Sequence, residues 1–227
     1  DYACDGATEM FVEADSPSNP YWNGNCSQDC NGDWGGSADS YGSGDVNNDG
    51  VLNVSDIVIT VNVILGNLSF DDDCAEVSAD INDDSIVNVL DCILMVGTIL
   101  GKTDTASSEA SVRLLDSGST LNRHEDDSHF AGIQMTLSHG SDFSIELTKN
   151  AEISESVTVD NQTTLVIVYP ETDHLFSYTG SYDVVEMTAA NSSAIEIAAR
   201  IVPAEFKISA AYPNPFNPST TLDIAVP

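Results

Sequence analysis

Two stretches decide the fold: DVNNDGVLNVSDIVITVNVILGN at 45–67 and DINDDSIVNVLDCILMVGTILGK at 80–102, which align without a gap. Asp45, Asn47, Asp49, Asn53 and Asp56 of the first fall on Asp80, Asn82, Asp84, Asn88 and Asp91 of the second. Self-similarity at a fixed offset marks one supersecondary unit used twice. Each copy passes from oxygen-bearing residues on alternate positions into an apolar run ending in Ile-Leu-Gly. Val and Ile density alone favours strands there. The spacing argues for helices instead. The acidic residue at the twelfth loop place would stand at a helix N-terminus, where the macrodipole favours negative charge. Val61, Ile64 and Leu65, like Val96, Ile99 and Leu100, recur at helical spacing on one face. Gly66 and Gly101 stand where C-terminal caps belong. Two short helices packed on each other through those faces are expected.

The polar part of each copy has the form of a calcium loop. Such a loop needs hard oxygen ligands on alternate residues, a tight central turn and a carboxylate returned by the following helix. In the first copy the expected ligands are Asp45, Asn47, Asp49, the Val51 carbonyl, Asn53 (directly or through water) and Asp56. In the second they are Asp80, Asn82, Asp84, the Ile86 carbonyl, Asn88 and Asp91. Gly50 serves the turn of the first loop, and Ser85 replaces it in the second, where a left-handed backbone costs about 1 kcal/mol. Two calcium ions are therefore expected. A third candidate, Asp29, Asn31 and Asp33 with Asp39 standing in for the missing twelfth-place carboxylate, has no helix after it. Asp71-Asp72-Asp73 lacks the alternation and reads as a solvated linker.

Loops, helices and offset together resemble the type I dockerin module of cellulosome-type assemblies, over residues 45–102. The resemblance implies a calcium-organised, pseudo-symmetric helix pair that binds a β-sandwich partner, the cohesin. It also assigns partner choice to the tenth and eleventh loop places, here Val54-Ser55 and Val89-Leu90. Those places are often hydroxylated in the family and are mostly apolar here.

Charge limits the partners. With 6 Lys+Arg against 37 Asp+Glu the formal charge is −31, so no basic patch exists to release counterions from a nucleic acid. The same balance opposes docking on an anionic membrane, and no apolar run is long enough to span one. A hydrophobic share of 41% is too high for a disordered acidic tail. Asp1 is preceded by no Lys-led signal peptide, so the chain reads as a mature product or a fragment. Cysteines stand at 4, 26, 30, 74 and 92 without a paired zinc pattern and read as oxidised and extracytoplasmic. Cys74–Cys92 is the preferred bridge, with Cys26–Cys30 or Cys4–Cys26 as a second.

Beyond residue 105 the pattern changes to period two. HFAGIQMTLS at 129–138 places Ala131, Ile133, Met135 and Leu137 on one face, and FSIELT, TTLVIVY, YDVVEMTA and AIEIAARIV follow. Short strands with turn signals between them predict an antiparallel sandwich. The phrase AGIQMTLSHGSDFSIEL is similar to early strands of cohesin-like and carbohydrate-binding sandwiches. At the end, Tyr212-Pro213-Asn214-Pro215-Phe216-Asn217-Pro218 resembles the opening of the C-terminal sorting domain of type IX secretion. It implies a strand from Thr221 to Val226, which must pair within the sandwich or with another chain.

No G-x-S-x-G or H-E-x-x-H motif occurs. Arg123-His124-Glu125-Asp126-Asp127-Ser128-His129 reads as a solvated connection rather than a metal site, and Tyr21, Trp22 and Trp34 as packing of a small disulfide segment. The expected fold is multidomain, α plus all-β: a Gly/Asp/Cys-rich segment (1–44), a dockerin-like calcium module (45–104), a β-sandwich (105–203) and the first strand of a sorting-type domain (204–227). The expected function is that of a non-enzymatic calcium-binding assembly or scaffold protein secreted by a bacterium to the cell surface or beyond. Its partner would be a cohesin-like sandwich in another protein or another copy, docked head to tail into a homo-oligomer or filament. Two alternatives are the ancillary C-terminal region of a secreted polysaccharide- or protein-degrading enzyme, and a carbohydrate-binding module.

Overall fold

The computed structural model describes residues 30, 43–102, 111–124, 127, 129–212, 214–215 and 219–226. The expectations for Cys4, Cys26, Asp29, Asn31, Asp33, Asp39, Tyr21, Trp22 and Trp34 lie outside the described residues. The chain divides into two compact units, Asp1–Asp91 and Cys92–Pro227.

In the first unit, helix α1 (Val54–Ile64) follows the first loop. Asn53 caps it, accepting from the Ser55 N–H, while Asp56 reaches back to the Asn53 N–H in a capping box. The asparagine that serves the loop therefore also starts the helix. Helix α2 (Asp73–Ala79) corrects the linker expectation. Asp72 accepts from the Ala75 N–H and caps it, so one of the three aspartates is spent on a helix end. Helix α3 (Val89–Leu100) begins after the second loop and continues into the second unit. Gly66 and Gly101 follow α1 and α3 with positive φ, as C-terminal caps do.

The predicted apolar faces are correct in the middle of the helices and fail at the end. Val61, Leu65 and Val96 are buried, but Ile99 and Leu100 are exposed. The buried apolar side chains of α3 are Val89, Leu90, Cys92, Ile93, Met95 and Val96. Helical periodicity continues to the last turn of the sequence, whereas burial stops where packing stops.

The second unit is a β-fold. Its strands are β1 (Ser111–Asp116), β2 (Thr120–Arg123), β3 (Phe130–His139), β4 (Ser144–Leu147), β5 (Ala151–Val159), β6 (Gln162–Pro170), β7 (His174–Thr179), β8 (Tyr182–Asn191) and β9 (Glu196–Pro203). They run in the order β4-β7-β2-β1-β9-β8-β3-β6-β5. β9 starts beside β8, at Ile197 and Glu196, and from Ala198 onward pairs with β1. That change of neighbour lets the two halves close over one core. Val112, Leu114, Leu121 and Phe176 come from one half and Ile133, Met135, Leu137 and Ile167 from the other. Alternation along β3 fixes which side chains enter it. The expectation of a wholly antiparallel sandwich needs one correction: β1 and β9 are parallel. Such pairing joins residues distant in sequence and leaves no hairpin signal.

The last segment departs further. Ile224–Ala225 (β11) pairs antiparallel with Lys207–Ile208 (β10), and Tyr212 bridges Thr221. The terminal strand thus pairs back on the chain just before its turn, in a two-stranded sheet separate from the nine-stranded one. Ile208, Tyr212, Leu222 and Ile224 remain exposed.

Candidate functional site

The duplicated loops carry the same hydrogen-bond wiring. Asp45 accepts the Asp49 N–H on Oδ1 (3.0 Å) and the Gly50 N–H on Oδ2 (2.8 Å). Asp80 does the same for Asp84 (3.1 Å) and Ser85 (2.7 Å). Asp56, fully buried, accepts from the N–H of Asn47 and Asn53 at 3.1 and 2.8 Å. Asp91, also fully buried, accepts from Ile81 (3.0 Å), Asn82 (3.4 Å) and Asn88 (2.9 Å). The repeat extends to the backbone: Asn48 and Asp83 both take positive φ, and so do Gly50 and Ser85. Ser85 therefore adopts the left-handed turn that its position demands, at the cost expected for an L-residue.

Within the first loop the Asn47 and Asn53 amides both lie 3.2 Å from Asp49 Oδ2, and the Val51 carbonyl accepts from the Asn53 amide at 2.9 Å. Val51 and Ile86 point their side chains into solvent, which suits residues contributing only a carbonyl. No three Asp, Glu, His or Cys side chains among the described residues converge enough to hold a metal by themselves. The donor set of each loop is completed by Asn amides and a carbonyl, a mixture that hard calcium accepts. These residues fit the ion by type and place.

Burial pushes the Asp91 carboxyl up to about 6, against the backbone N–H groups that pull it down, and the neighbouring Asp80 and Asp84 charges add to the rise. The metal-free fold therefore holds this proton above the pH at which the unfolded chain loses it. The stability that the proton supplies is present below about pH 4 and is lost as pH rises through about 6. A calcium ion held by this loop would have to displace it. The second loop should bind calcium about tenfold more weakly near pH 5 than near pH 7.5, by calorimetric titration of a first-loop Asp56→Ala variant. Equal affinity at the two pH values would contradict the placement of Asp91 in the ion's shell.

The residues expected to choose a partner are divided by the structure. Val54 is 65% exposed and Ser55 is exposed, whereas Val89 is fully buried and Leu90 nearly so. The preferred Cys74–Cys92 bridge and the Cys26–Cys30 alternative are overturned, because Cys74 is bridged to Cys30 with Cα atoms 4.8 Å apart; the Cys4–Cys26 alternative lies outside the described residues. Cys92 keeps a buried thiol in α3. Reach in space decides a bridge, and cysteine positions along the sequence do not show it.

No catalytic constellation replaces these loops among the described residues. His124 lies 3.0 Å from the Arg113 guanidinium, His139 stacks on Phe143 and meets Thr163 Oγ1 at 2.8 Å, and His129 is exposed. Tyr178 and Tyr182 both donate to Asp116, at 2.6 and 3.3 Å. Burial first, and that carboxylate second, raise both phenols above the ordinary tyrosine value, so they stay neutral donors.

No protein-family model matches the chain, and no curated protein does. Among solved structures it is similar to a non-cellulosomal cohesin from the hyperthermophilic archaeon Archaeoglobus fulgidus, at 11% identity and a TM-score of 0.30. That match covers 41% of this chain and 86% of the other. It is also similar to a chain of the type I cohesin–dockerin complex Coh-OlpC-Doc435 from Clostridium thermocellum, at 12% identity and a TM-score of 0.29. Here 44% of this chain and 93% of the other are covered. Both neighbours are cohesins. They match over a β-sandwich region.

Three features escaped the sequence reading. The cap of α2 was signalled by Asp72 three residues before Ala75. The Cys30–Cys74 bridge left no local trace. Gly132, inside strand β3, was the signal for a close approach to the sheet.

Proposed function

We propose that this chain is a non-enzymatic, calcium-stabilised protein–protein association protein that works outside the cell, its copies or partners joined head to tail into a filament. The observation that carries the reading is the duplicated wiring of the two loops. In each, backbone N–H groups hold the first and twelfth carboxylates in place, and an Asn serves at once as expected ligand and as helix cap or its equivalent. Asp45, Asp49 and Asp56, like Asp80, Asp84 and Asp91, repel one another at neutral pH without a cation. Calcium binding would thus become folding free energy for the first unit. Extracellular calcium modules work at roughly 10⁻⁴–10⁻³ M.

An extracellular place is supported by the Cys30–Cys74 bridge and by the sorting-type motif at Tyr212–Pro218. No described helix is long and apolar enough to cross a membrane. The mostly β second unit supplies a sheet surface of the kind on which association modules act.

Sedimentation velocity in millimolar calcium and in chelator tests the reading. Calcium should give species larger than a monomer, and chelator should return them to monomer with loss of helical signal. A monomer in both conditions would remove the association reading.

A further inference from the structure

One face of the sheet in the second unit is covered in a way its strand pattern alone does not explain. Register places Ala190, Gly132, Val168 and Ile153 in one row across β8, β3, β6 and β5, and Thr188, Gln134, Val166 and Glu155 in the next. This is the face opposite the sandwich core. On an antiparallel sheet such a face is ordinarily polar and solvated. Here Val166, Val168 and Ala190 have no exposure, although none belongs to the sandwich core.

Helix α3 provides the cover. A Cβ on Gly132 would lie 3.0 Å from Ile93 Cδ1 and 3.2 Å from Cγ1, so Ile93 sits directly on the glycine. One turn later, a Cβ on Gly97 would lie 3.1 Å from the Tyr169 hydroxyl. Past the helix end, Lys102 Nζ stands 4.5 Å from the Tyr169 ring centroid and 3.3 Å from Glu152 Oε1. The segment from Ile93 to Lys102 thus meets β3, β6 and β5 in turn. Two glycines, one on each side, bring helix and sheet close enough for the apolar contact.

We propose that this seat is a self-recognition site, and that copies of the chain associate by exchanging the segment Ile93–Lys102, so that α3 of one copy occupies the β3–β6–β5 face of another. The inference rests on the association reading above and names its partner as a second copy. A surface complementary to part of its own chain offers the same contacts to that part of any copy, which is why exchange is a low-cost route to assembly. Charge narrows the choice. With 37 carboxylates against six cations, most pairs of surfaces on two copies repel. The seat is instead apolar and brings one of the few cations, Lys102, against a carboxylate. Each copy has one such helix and one such face, so reciprocal exchange closes a dimer and one-way donation from copy to copy builds rings or open chains.

The test uses the full chain carrying both Lys102→Cys and Glu152→Cys, at two half-exposed positions, in millimolar calcium, treated with a short bis-maleimide. The single variants serve as controls for reaction at the native cysteines. Material separated as monomer should crosslink within the chain. Assembled material should give covalent dimers and higher species, joined between the two substituted positions of different copies by peptide mapping. Assembled material that crosslinks only within chains would overturn the exchange and leave association through another surface. A monomer at every concentration would overturn the association reading itself.

Discussion

Asp91→Ala lowers the stability of the calcium-loaded first unit by roughly 4–5 kcal/mol when calcium stands a hundredfold above its dissociation constant. About 2.7 kcal/mol of this is the linkage free energy of the lost ion at that excess. The remainder, about 2 kcal/mol, comes from the Ile81, Asn82 and Asn88 N–H groups, which lose their acceptor at the mouth of a buried site. In chelator the same substitution should cost far less. Without an ion, the Asp91 carboxylate is an unfavourable charge at neutral pH, since burial has already pushed its carboxyl up to about 6. Removing that charge offsets much of the loss of hydrogen bonds. Guanidinium unfolding followed by far-UV circular dichroism, in calcium and in chelator, measures both values. Equal losses in the two conditions would show that Asp91 holds backbone and nothing else.

Opening the Cys30–Cys74 bridge should cost about 4 kcal/mol, the loop-closure value for a sequence separation of 44 residues. The loss falls on the first unit, where both cysteines lie. It should appear as a lower unfolding midpoint in reductant and equally in Cys30→Ala without reductant. The pairing can be read directly by alkylating unfolded, unreduced protein. Cys92 should be labelled, and the peptides of Cys30 and Cys74 should stay joined. Labelled Cys30 together with a Cys74–Cys92 peptide would restore the pairing expected from the sequence.

The loops and the helices after them were legible because their signals are local and doubled. The Asp/Asn spacing, the cap at Asn53 and the glycine after each helix all lie within a few residues of the turns and helix ends they determine. The core face of β3 was legible for the same reason, since alternation of Ile133, Met135 and Leu137 needs only one strand. What could not be read depends on distant partners. Ile99 and Leu100 share the helical period of Val96 but stay exposed among the described residues. The parallel pairing of β1 with β9 joins segments far apart in the chain. β5, with Glu152, Ser154, Glu155 and Ser156, is an edge strand too polar to stand out from a loop.

The seat of α3 shows how a single residue can carry such information. Gly132 weakens a strand interior by its own flexibility, and its presence makes sense once Ile93 lies against it. Val166 and Val168, which lengthen the apolar run of β6 beyond strict alternation, follow from the same contact, because that strand is covered on both faces.

The claim on which the account depends is that each loop gathers one calcium ion. Calorimetric titration of the chelator-stripped chain measures it most directly. The account predicts two ions bound per chain by the described loops, falling to one in Asp56→Ala or Asp91→Ala and to none in the double variant. A stripped chain that keeps its full helical signal and takes up no calcium at millimolar concentration would contradict it.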